Sequence, residues 1–529
     1  MTESSASPWS PLKYRTFRWL WLASIASNIG TWMHEVGAGW LMTSLSSNPL
    51  HVALIQVSSA LPMFFLALPA GALADIVDRR RYLIGVQLWM SAVAVVLTLL
   101  SLSGLIGVVS LLSLTLCLGI GTALMMPAWS ALTPDLVDKD ELPAAVALSS
   151  VGLNVSRAIG PALAGILVSL VGPWLTFALN AASFFGVILV LLAWKRQPVE
   201  ALLPAERFAA AVRTGWRFAR SSRQLQAVLV RALAFFLCAS AGMALLPVIV
   251  RSEMHGTATD FGLLLGSVGV GAVIGAMLLP RLREKVSRDH LVAGASLLYA
   301  ITLLVLAFAR NLYMLLPAMF LSGMAWISVL SSLQIAAQTS VPAWVRARAL
   351  SVYILMFFGS MAAGGYLWGS IASQASTSLS IGVAALGLIL GVALTLKVHL
   401  PVTQVDDLAP SLHWPAPLLS DELDQERGPV LVTVEYHIAP EHAAAFRRAM
   451  AELELVRRRN GALSWGLMQD SSNPRLWLEF FFDESWLEHL RHHQRVTRGE
   501  LKIEAAVRRL QTHDVEIRIR HYLKGAELP

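Results

Sequence analysis

From Trp19 to about Lys397 the chain is a succession of apolar runs, each long enough to cross a bilayer as a helix and each closed by a short polar turn. The runs lie near residues 19–43, 51–74, 82–103, 106–132, 143–170 and 173–194, then 226–250, 260–280, 289–309, 312–338, 347–372 and 376–397. No strand alternation interrupts them, and Gly, Ala and Ser recur within them, as close helix packing in lipid requires. The pattern predicts an all-α polytopic membrane protein of about twelve helices in two sets of six. The polar interval 198–224 separates the sets. It carries Phe208, Val212, Trp216 and Ala219 at helical spacing with arginines between them. That pattern suits a basic helix lying on the inner leaflet, and equally a tether between the halves.

Past the last run the period changes. Residues 401–427 are polar and proline-rich, which reads as a linker. Residues 430–438 then read as a strand, 440–460 as a helix closed by Gly461, and 463–469 and 475–482 as strands around a turn at Ser472-Asn473-Pro474. Residues 484–508 read as mainly helical with a break at Gly499, and 515–522 as a final strand. The order βαββαβ is ferredoxin-like. The expected domains are an N-terminal six-helix half (1–197), the basic segment (198–224), a second half (225–400), the linker (401–427) and a soluble α+β domain (428–525).

Charge changes the picture mainly by orienting it. The chain is 56% hydrophobic and 14% charged, about half the charge of a soluble domain. The net charge of +7 therefore reads as topology, not as nucleic-acid affinity. Lys13, Arg15 and Arg18, then 79–81, the 195–223 interval, 281–288, and Arg346 with Arg348 all fall on one side of a twelve-helix arrangement. Both termini are expected in the cytoplasm, the chain in the cell (inner) membrane, with no cleaved signal peptide. The turn between the fourth and fifth runs departs from the rule with Asp135, Asp138, Asp140 and Glu141, but acids weigh little in it. Cys117 and Cys238 both sit in apolar runs, so no disulfide framework or cysteine metal cluster is expected.

Polar residues inside the runs are costly and point to function. The first run carries Asn28, Trp32 and Glu35 on one face, continued by Gly39, while His34 is expected to point elsewhere. The fifth carries Asn154 and Arg157. Glu35 lies sixteen residues beyond Trp19 and Arg157 fourteen beyond Pro143, so their depths agree within a few ångströms at about 1.5 Å per residue. They stand as a proton-coupling pair sharing one cavity, or else as a buried structural ion pair. Asn28, Trp32, Asn154, Gln334 and Gln338 are candidate substrate contacts, with Asn180 beside them; inter-helix hydrogen bonding is the plainer role for the amides.

Residues 71–81 read Gly-Ala-Leu-Ala-Asp-Ile-Val-Asp-Arg-Arg-Arg. This resembles the turn between helices 2 and 3 of the major facilitator superfamily, with Ile76 and Asp78 in place of its first arginine and its glycine. Gly71, Asp75, Asp78, Arg79 and Arg80 are then implied to steady one transport state, Gly71 by admitting a close helix and Asp75 by meeting a helix end or an arginine. Gly160, Pro161 and Gly165 in Gly-Pro-Ala-Leu-Ala-Gly resemble the fifth-helix signature of proton-coupled exporters, with Ala164 replacing a glycine. The arginine those exporters carry in helix 4 is absent, residues 105–131 being uncharged.

With Trp32-Met33, these motifs make residues 13–400 similar to the exporter branch that includes the enterobactin exporter, the transmembrane secretion effector type. The resemblance implies two six-helix halves rocking about a central site. It implies a proton-coupled exporter of a small organic molecule such as a siderophore, drug or secondary metabolite. The ferredoxin-like part resembles the dimeric α+β barrels of antibiotic-biosynthesis monooxygenases through Trp465, Asp470, Trp477, Glu479, Trp486, His489 and Arg495. No catalytic constellation accompanies that resemblance, so a regulatory or dimerising module is expected, and an enzyme or sensor acting through this domain is the alternative. His489, His492 and His493 read as a solvated helix face; no metal and no cofactor is expected. The expected partners are a small-molecule substrate, protons and lipid, not nucleic acid.

Overall fold

The computed structural model describes residues 9–130, 132–194, 208–400, 405–408, 411, 427–512 and 515–524; within these, the side chains of Leu68, Ala72, 74–76, Lys139, 208–214, Ala343, Val405, Asp406 and Gln494 lie outside the description. The Asp75 side chain, residues 195–207 and most of the linker therefore lie outside the described residues.

Six long helices come first: α1 (Arg15–Leu45), α2 (Pro49–Ile76), α3 (Arg79–Leu102), α4 (Val108–Ser130), α5 (Leu142–Leu170) and α6 (Pro173–Ala193). A short helix, α7 (Phe208–Ser221), precedes six more: α8 (Arg223–Val248), α9 (Ala258–Lys285), α10 (Arg288–Phe308), α11 (Leu312–Thr339), α12 (Arg346–Gln374) and α13 (Thr377–Thr395). Their starts follow local chemistry. Asn48 accepts from the Leu50 amide ahead of Pro49, Asp78 accepts from the Arg81 amide, and Thr257 with Asp260 closes a capping box on α9. Among the described residues, eleven of the twelve are long and apolar enough to span a membrane, not the twelve expected. The remaining one is α1, whose length is ample but whose Ser24, Ser27, Asn28, Thr31, His34 and Glu35 dilute its hydropathy.

The chain divides into two compact units. The first comprises Met1–Glu206, Leu229–Gln334 and Tyr353–His399; the second comprises Arg207–Val228, Ile335–Val352 and Leu400–Pro529.

Within the first unit, the two sets of helices meet along two seams of small residues. On α5 and α9, a Cβ added to Gly165 would lie 2.9 Å from the Gly262 Cα, and one on Gly269 only 2.6 Å from the Ala158 Cα. On α2 and α12, a Cβ on Gly369 would lie 2.6 Å from that of Ala53, and Gln56 donates to the Met361 carbonyl at 3.0 Å. The fifth helix of each set thus packs on the second helix of the other. That is the relation an internal repeat produces, in keeping with Ala147-Leu148-Ser149 on α5 and Ala349-Leu350-Ser351 on α12. At one end of the bundle the turns are tied by charge. Arg80 donates to the carbonyls of Leu191 and Leu192 at the end of α6, at 2.7 and 2.6 Å, where helix carbonyls lack partners. The acidic turn between α4 and α5 answers basic residues on the same side. Asp135 pairs with Arg79 at 3.4 Å, Glu141 with Lys13, and Asp138 accepts from the Tyr14 hydroxyl at 2.5 Å.

In the second unit, β1 (Val430–His437), β2 (Ser464–Gln469), β3 (Leu476–Asp483) and β4 (Arg518–Leu523) form one antiparallel sheet in the order β2-β3-β1-β4. The chain runs β1, α14 (Ala443–Asn460), β2, β3, α15 (Trp486–Arg495), α16 (Arg498–Arg508), β4. Alternate β1 residues Val430, Val432, Val434 and Tyr436 are buried, and Phe446, Met450, Leu453 and Val456 of α14 close over part of that face. The helix breaks at Val496-Thr497 instead of Gly499, because Thr497 and Glu500 make a capping box that starts a new helix. A buried ion cluster joins the layers: Arg457 bonds Glu479 at 3.0 Å and Glu504 at 2.8 Å, while Tyr436 and Trp465 donate to Glu479 at 2.9 and 3.0 Å. Burial opposes the charge on Arg457, but Glu479 and Glu504 outweigh it and hold its proton above the usual guanidinium range.

Two expectations change here. His489 and His492 are fully buried, not on a solvated helix face, because α15 turns that side toward Asp483. The α7 helix buries Gly215, Phe218 and Ala219 and leaves Trp216 66% exposed, so of the expected stripe Ala219 faces inward and Trp216 does not, while the Phe208 and Val212 side chains lie outside the described residues. It packs within the second unit, with Arg217 donating to the Gly461 carbonyl at 2.6 Å, and just past it Arg223, at the start of α8, pairs with Glu452 at 3.0 Å.

Candidate functional site

Close packing along the two seams leaves a cavity of about 360 Å³ at the centre of the first unit. Every long helix except α13 contributes to its wall. On α1, Trp32, Glu35 and Gly39 face it at the spacing the sequence predicts. Arg157 reaches it from α5, so Glu35 and Arg157 line one cavity. Glu35 is the one carboxylate and Arg157 the one permanently charged cation among the described lining residues. The Glu35 surface is exposed, and the space beside it is the cavity. Arg157 lies over the Trp32 ring, 5.4 Å from its centre, and its Nε has no hydrogen-bond partner. That stacking holds a cation in an apolar surround without consuming its donors. Opposite charges facing one cavity attract each other.

His34 departs from expectation. It also lines the cavity, buried, with its ring 5.3 Å from Phe177 and neither nitrogen hydrogen-bonded. The cavity wraps around α1, so a face broader than one helical stripe contributes. Thr115 Oγ1 of α4 and Asn180 Oδ1 of α6 are likewise buried without partners, and both residues line the cavity. Unpaired polar atoms in such a place are groups ready to bind water or substrate.

The remaining sequence candidates divide. Asn28 is half-buried and lies outside the lining set. Asn154 spends its amide on the Ser150 carbonyl one turn back, at 2.9 Å. Gln334 and Gln338 are exposed and follow Trp326 and Leu330 along the same stripe of α11, one and two turns past the last lining residue. Gly160 lets α1 approach, since a Cβ there would lie 2.7 Å from that of Trp32, and the Pro161 carbonyl oxygen would lie 2.5 Å from a Cβ on Gly262. Among the described residues, nothing lies within 4 Å of a Cβ added to Gly71, so they supply no close approach there. Asp78 caps α3, and Arg79 and Arg80 make the turn contacts already described.

The second helix set was not legible as a wall. Phe261, Tyr299, Trp326, Phe357 and Phe358 all face the cavity. Their sequence signal is only that they are aromatic in apolar runs, and periodicity does not separate cavity-facing from lipid-facing aromatics.

A family model described as "Transmembrane secretion effector" matches residues 6–528. Among characterised relatives, the staphyloferrin A transporter of Staphylococcus aureus is 25% identical over 64% of this chain and 85% of its own. Macrolide efflux protein A of Streptococcus pyogenes is 24% identical over 56% and 72%. An enterobactin exporter of Salmonella typhi is 28% identical over 51% of this chain and 65% of its own. Among solved structures, a nucleoside transporter superposes with a TM-score of 0.60 at 12% identity, covering 72% of this chain and 99% of that one. A bacterial homologue of the iron transporter ferroportin, in an inward-facing state, gives 0.56 at 16% identity over 73% and 98%. These likenesses show the fold. The family and the relatives are major facilitator transporters rather than enzymes.

Proposed function

The chain belongs to the transmembrane secretion effector family, and from that premise we propose that it is a proton-coupled exporter of a small amphipathic organic molecule. The observation that carries the reading is the single carboxylate, Glu35, facing the same central cavity as Arg157 between two glycine seams. Glu35 is the proton carrier. Arg157 steadies its charged form, and separation of the two on rocking of the halves lets the acid take a proton. Protonation and substrate binding then each weaken the other's hold, which is what exchange requires. Trp32 lines the site, while Asn28, Asn154, Gln334 and Gln338, expected as substrate contacts, lie outside the cavity lining.

The same reading places the chain in the cell (inner) membrane with both termini and the α7 segment in the cytoplasm, following the arginines. Residues 1–197 and 225–400 act as the two halves. Residues 428–525, with helix order βαββααβ and sheet order β2-β3-β1-β4, form a ferredoxin-like module that regulates or dimerises the transporter. Related proteins named for staphyloferrin A, enterobactin and macrolides set the substrate panel.

The test is uptake of that panel into inverted membrane vesicles with and without an imposed pH gradient. Gradient-dependent uptake of at least one compound is expected. Uptake indifferent to the gradient removes proton coupling, and no uptake of any amphipathic compound removes the substrate class.

A further inference from the structure

In the second unit, three side chains from Asp483 to His493 meet a fourth, His521, that is distant in sequence. His489 and His493 lie one turn apart on α15 and so face the same side. His521 reaches the same point from β4, an edge strand of the sheet. One ligand nitrogen from each of the three lies within 4.8 Å of the other two. Nε2 of His489 faces Nε2 of His493 at 3.1 Å, and the rings of His493 and His521 each stand 4.7 Å from that of His489.

Asp483, at the end of β3, stands behind this group. Its Oδ2 lies 2.8 Å from Nδ1 of His489, with both side chains buried. An ionised carboxylate only accepts, so Nδ1 of His489 carries the hydrogen and the lone pair falls on Nε2, the atom turned toward His493. The other oxygen, Oδ1, lies 3.3 Å from Nδ1 of His492, so a second buried imidazole holds the carboxylate in place. A carboxylate that fixes the tautomer and direction of an imidazole is the usual support behind a metal-binding histidine.

The donor set selects the ion. Three imidazole nitrogens suit zinc and its first-row neighbours, whereas calcium and magnesium require oxygen ligands. Tetrahedral zinc at 2.0–2.1 Å from each nitrogen sets those nitrogens roughly 3.3 Å apart. The His489–His493 pair is already at 3.1 Å. The His521 nitrogen needs to close by about 1.5 Å at most, which an edge strand accommodates. A hydrogen bond between His489 and His493 would account for their approach, but not for the third ring arriving at the same point.

We propose that His489, His493 and His521 bind one zinc-class divalent transition-metal ion, with Asp483 orienting His489 and a fourth position left for water or a small ligand. The ion clamps the last strand, β4, to α15.

The test uses the full chain in detergent, carrying an affinity tag without histidine, stripped with EDTA and then exposed to Zn²⁺ or Co²⁺ before desalting. Expected are one zinc per chain by mass spectrometry, and a visible cobalt spectrum of tetrahedral type that zinc displaces and magnesium or calcium does not. His521→Asn and, separately, His493→Gln weaken zinc binding by roughly tenfold or more, while His399→Asn leaves it unchanged. Circular dichroism checks that each variant is folded; if one is not, the other variant and the cobalt spectrum of the unaltered chain decide. Zinc uptake no greater than that of the His493→Gln, His521→Asn double variant, or a six-coordinate cobalt spectrum, overturns the proposal and leaves a hydrogen-bonded histidine cluster.

Discussion

The two walls of the central cavity come from helix sets with the same layout, yet they differ in chemistry. The first set supplies Glu35, Arg157, His34, Thr115 and Asn180. The second supplies Phe261, Trp326, Phe357 and Phe358, no charged side chain among the described lining residues, and one hydroxyl, that of Tyr299, which is turned away to donate to the Ala239 carbonyl at 3.1 Å. Among the described lining residues, every buried polar side-chain atom left without a hydrogen-bond partner belongs to the first set. The aromatic wall is itself braced: Phe236 packs edge-on to Phe357 at 4.6 Å and to Trp326 at 5.5 Å. A repeated fold can thus divide its labour. One half lines the cavity with charged and polar side chains, and the other lines it with an aromatic and apolar surface.

The division breaks most completely if Glu35→Gln still exports. With the carboxylate replaced by an amide of similar shape, pH-gradient-driven uptake into inverted vesicles should fall to the level without a gradient, while substrate binding in detergent persists. Native-rate export would move the proton elsewhere and undo the assignment of walls. Gly269→Val tests the seam both walls depend on. Its side chain meets Ala158 and the Arg157 carbonyl, and such overpacking costs about 1–3 kcal/mol. The expected outcome is a lower melting temperature together with slower transport, and an unchanged melt would mean that the seam gapes in the dominant state.

Smaller changes sharpen the contrast. Trp326→Leu should weaken binding of an aromatic substrate by roughly tenfold, the scale of one aromatic contact, and leave the pH profile of transport where it was. A shift in that profile would give the second wall a share in coupling. Tyr299→Phe should have the smallest effect. It forfeits one buried hydrogen bond, about 1 kcal/mol of stability, visible as a small drop in thermal midpoint, with transport and its pH dependence intact.

Much of this was legible in the residues. Run length and apolarity located the helices, since a span must satisfy its backbone internally and has few ways to do so. Glu35, Arg157 and Trp32, singled out by depth and helical phase, line the cavity, and Gly160 and Gly165, singled out by the fifth-helix signature, stand at close approaches. The errors share a cause. His34 was set aside because one stripe was allowed to α1, whereas the cavity wraps around it. Gln334 and Gln338 had the right phase on α11 but lay past the cavity's end, which phase does not report. Gly71 meets no close neighbour among the described residues, and the identity of an approaching helix is never written in the glycine itself.

What the sequence determined alone is what depends on neighbours along the chain: the helices and their caps, the order of strands and helices past the linker apart from the break between α15 and α16, and the cost of a carboxylate in an apolar run. What only the tertiary structure decided depends on partners from elsewhere in the chain. It paired α5 with α9 and α2 with α12, and turned one helix set's polar atoms and the other's aromatics onto a single space. It also carried His521 and Asp483 to His489 and His493 across 28 and 6 residues of sequence. Periodicity assigns a side chain to a face, but only packing assigns that face to lipid, protein or cavity.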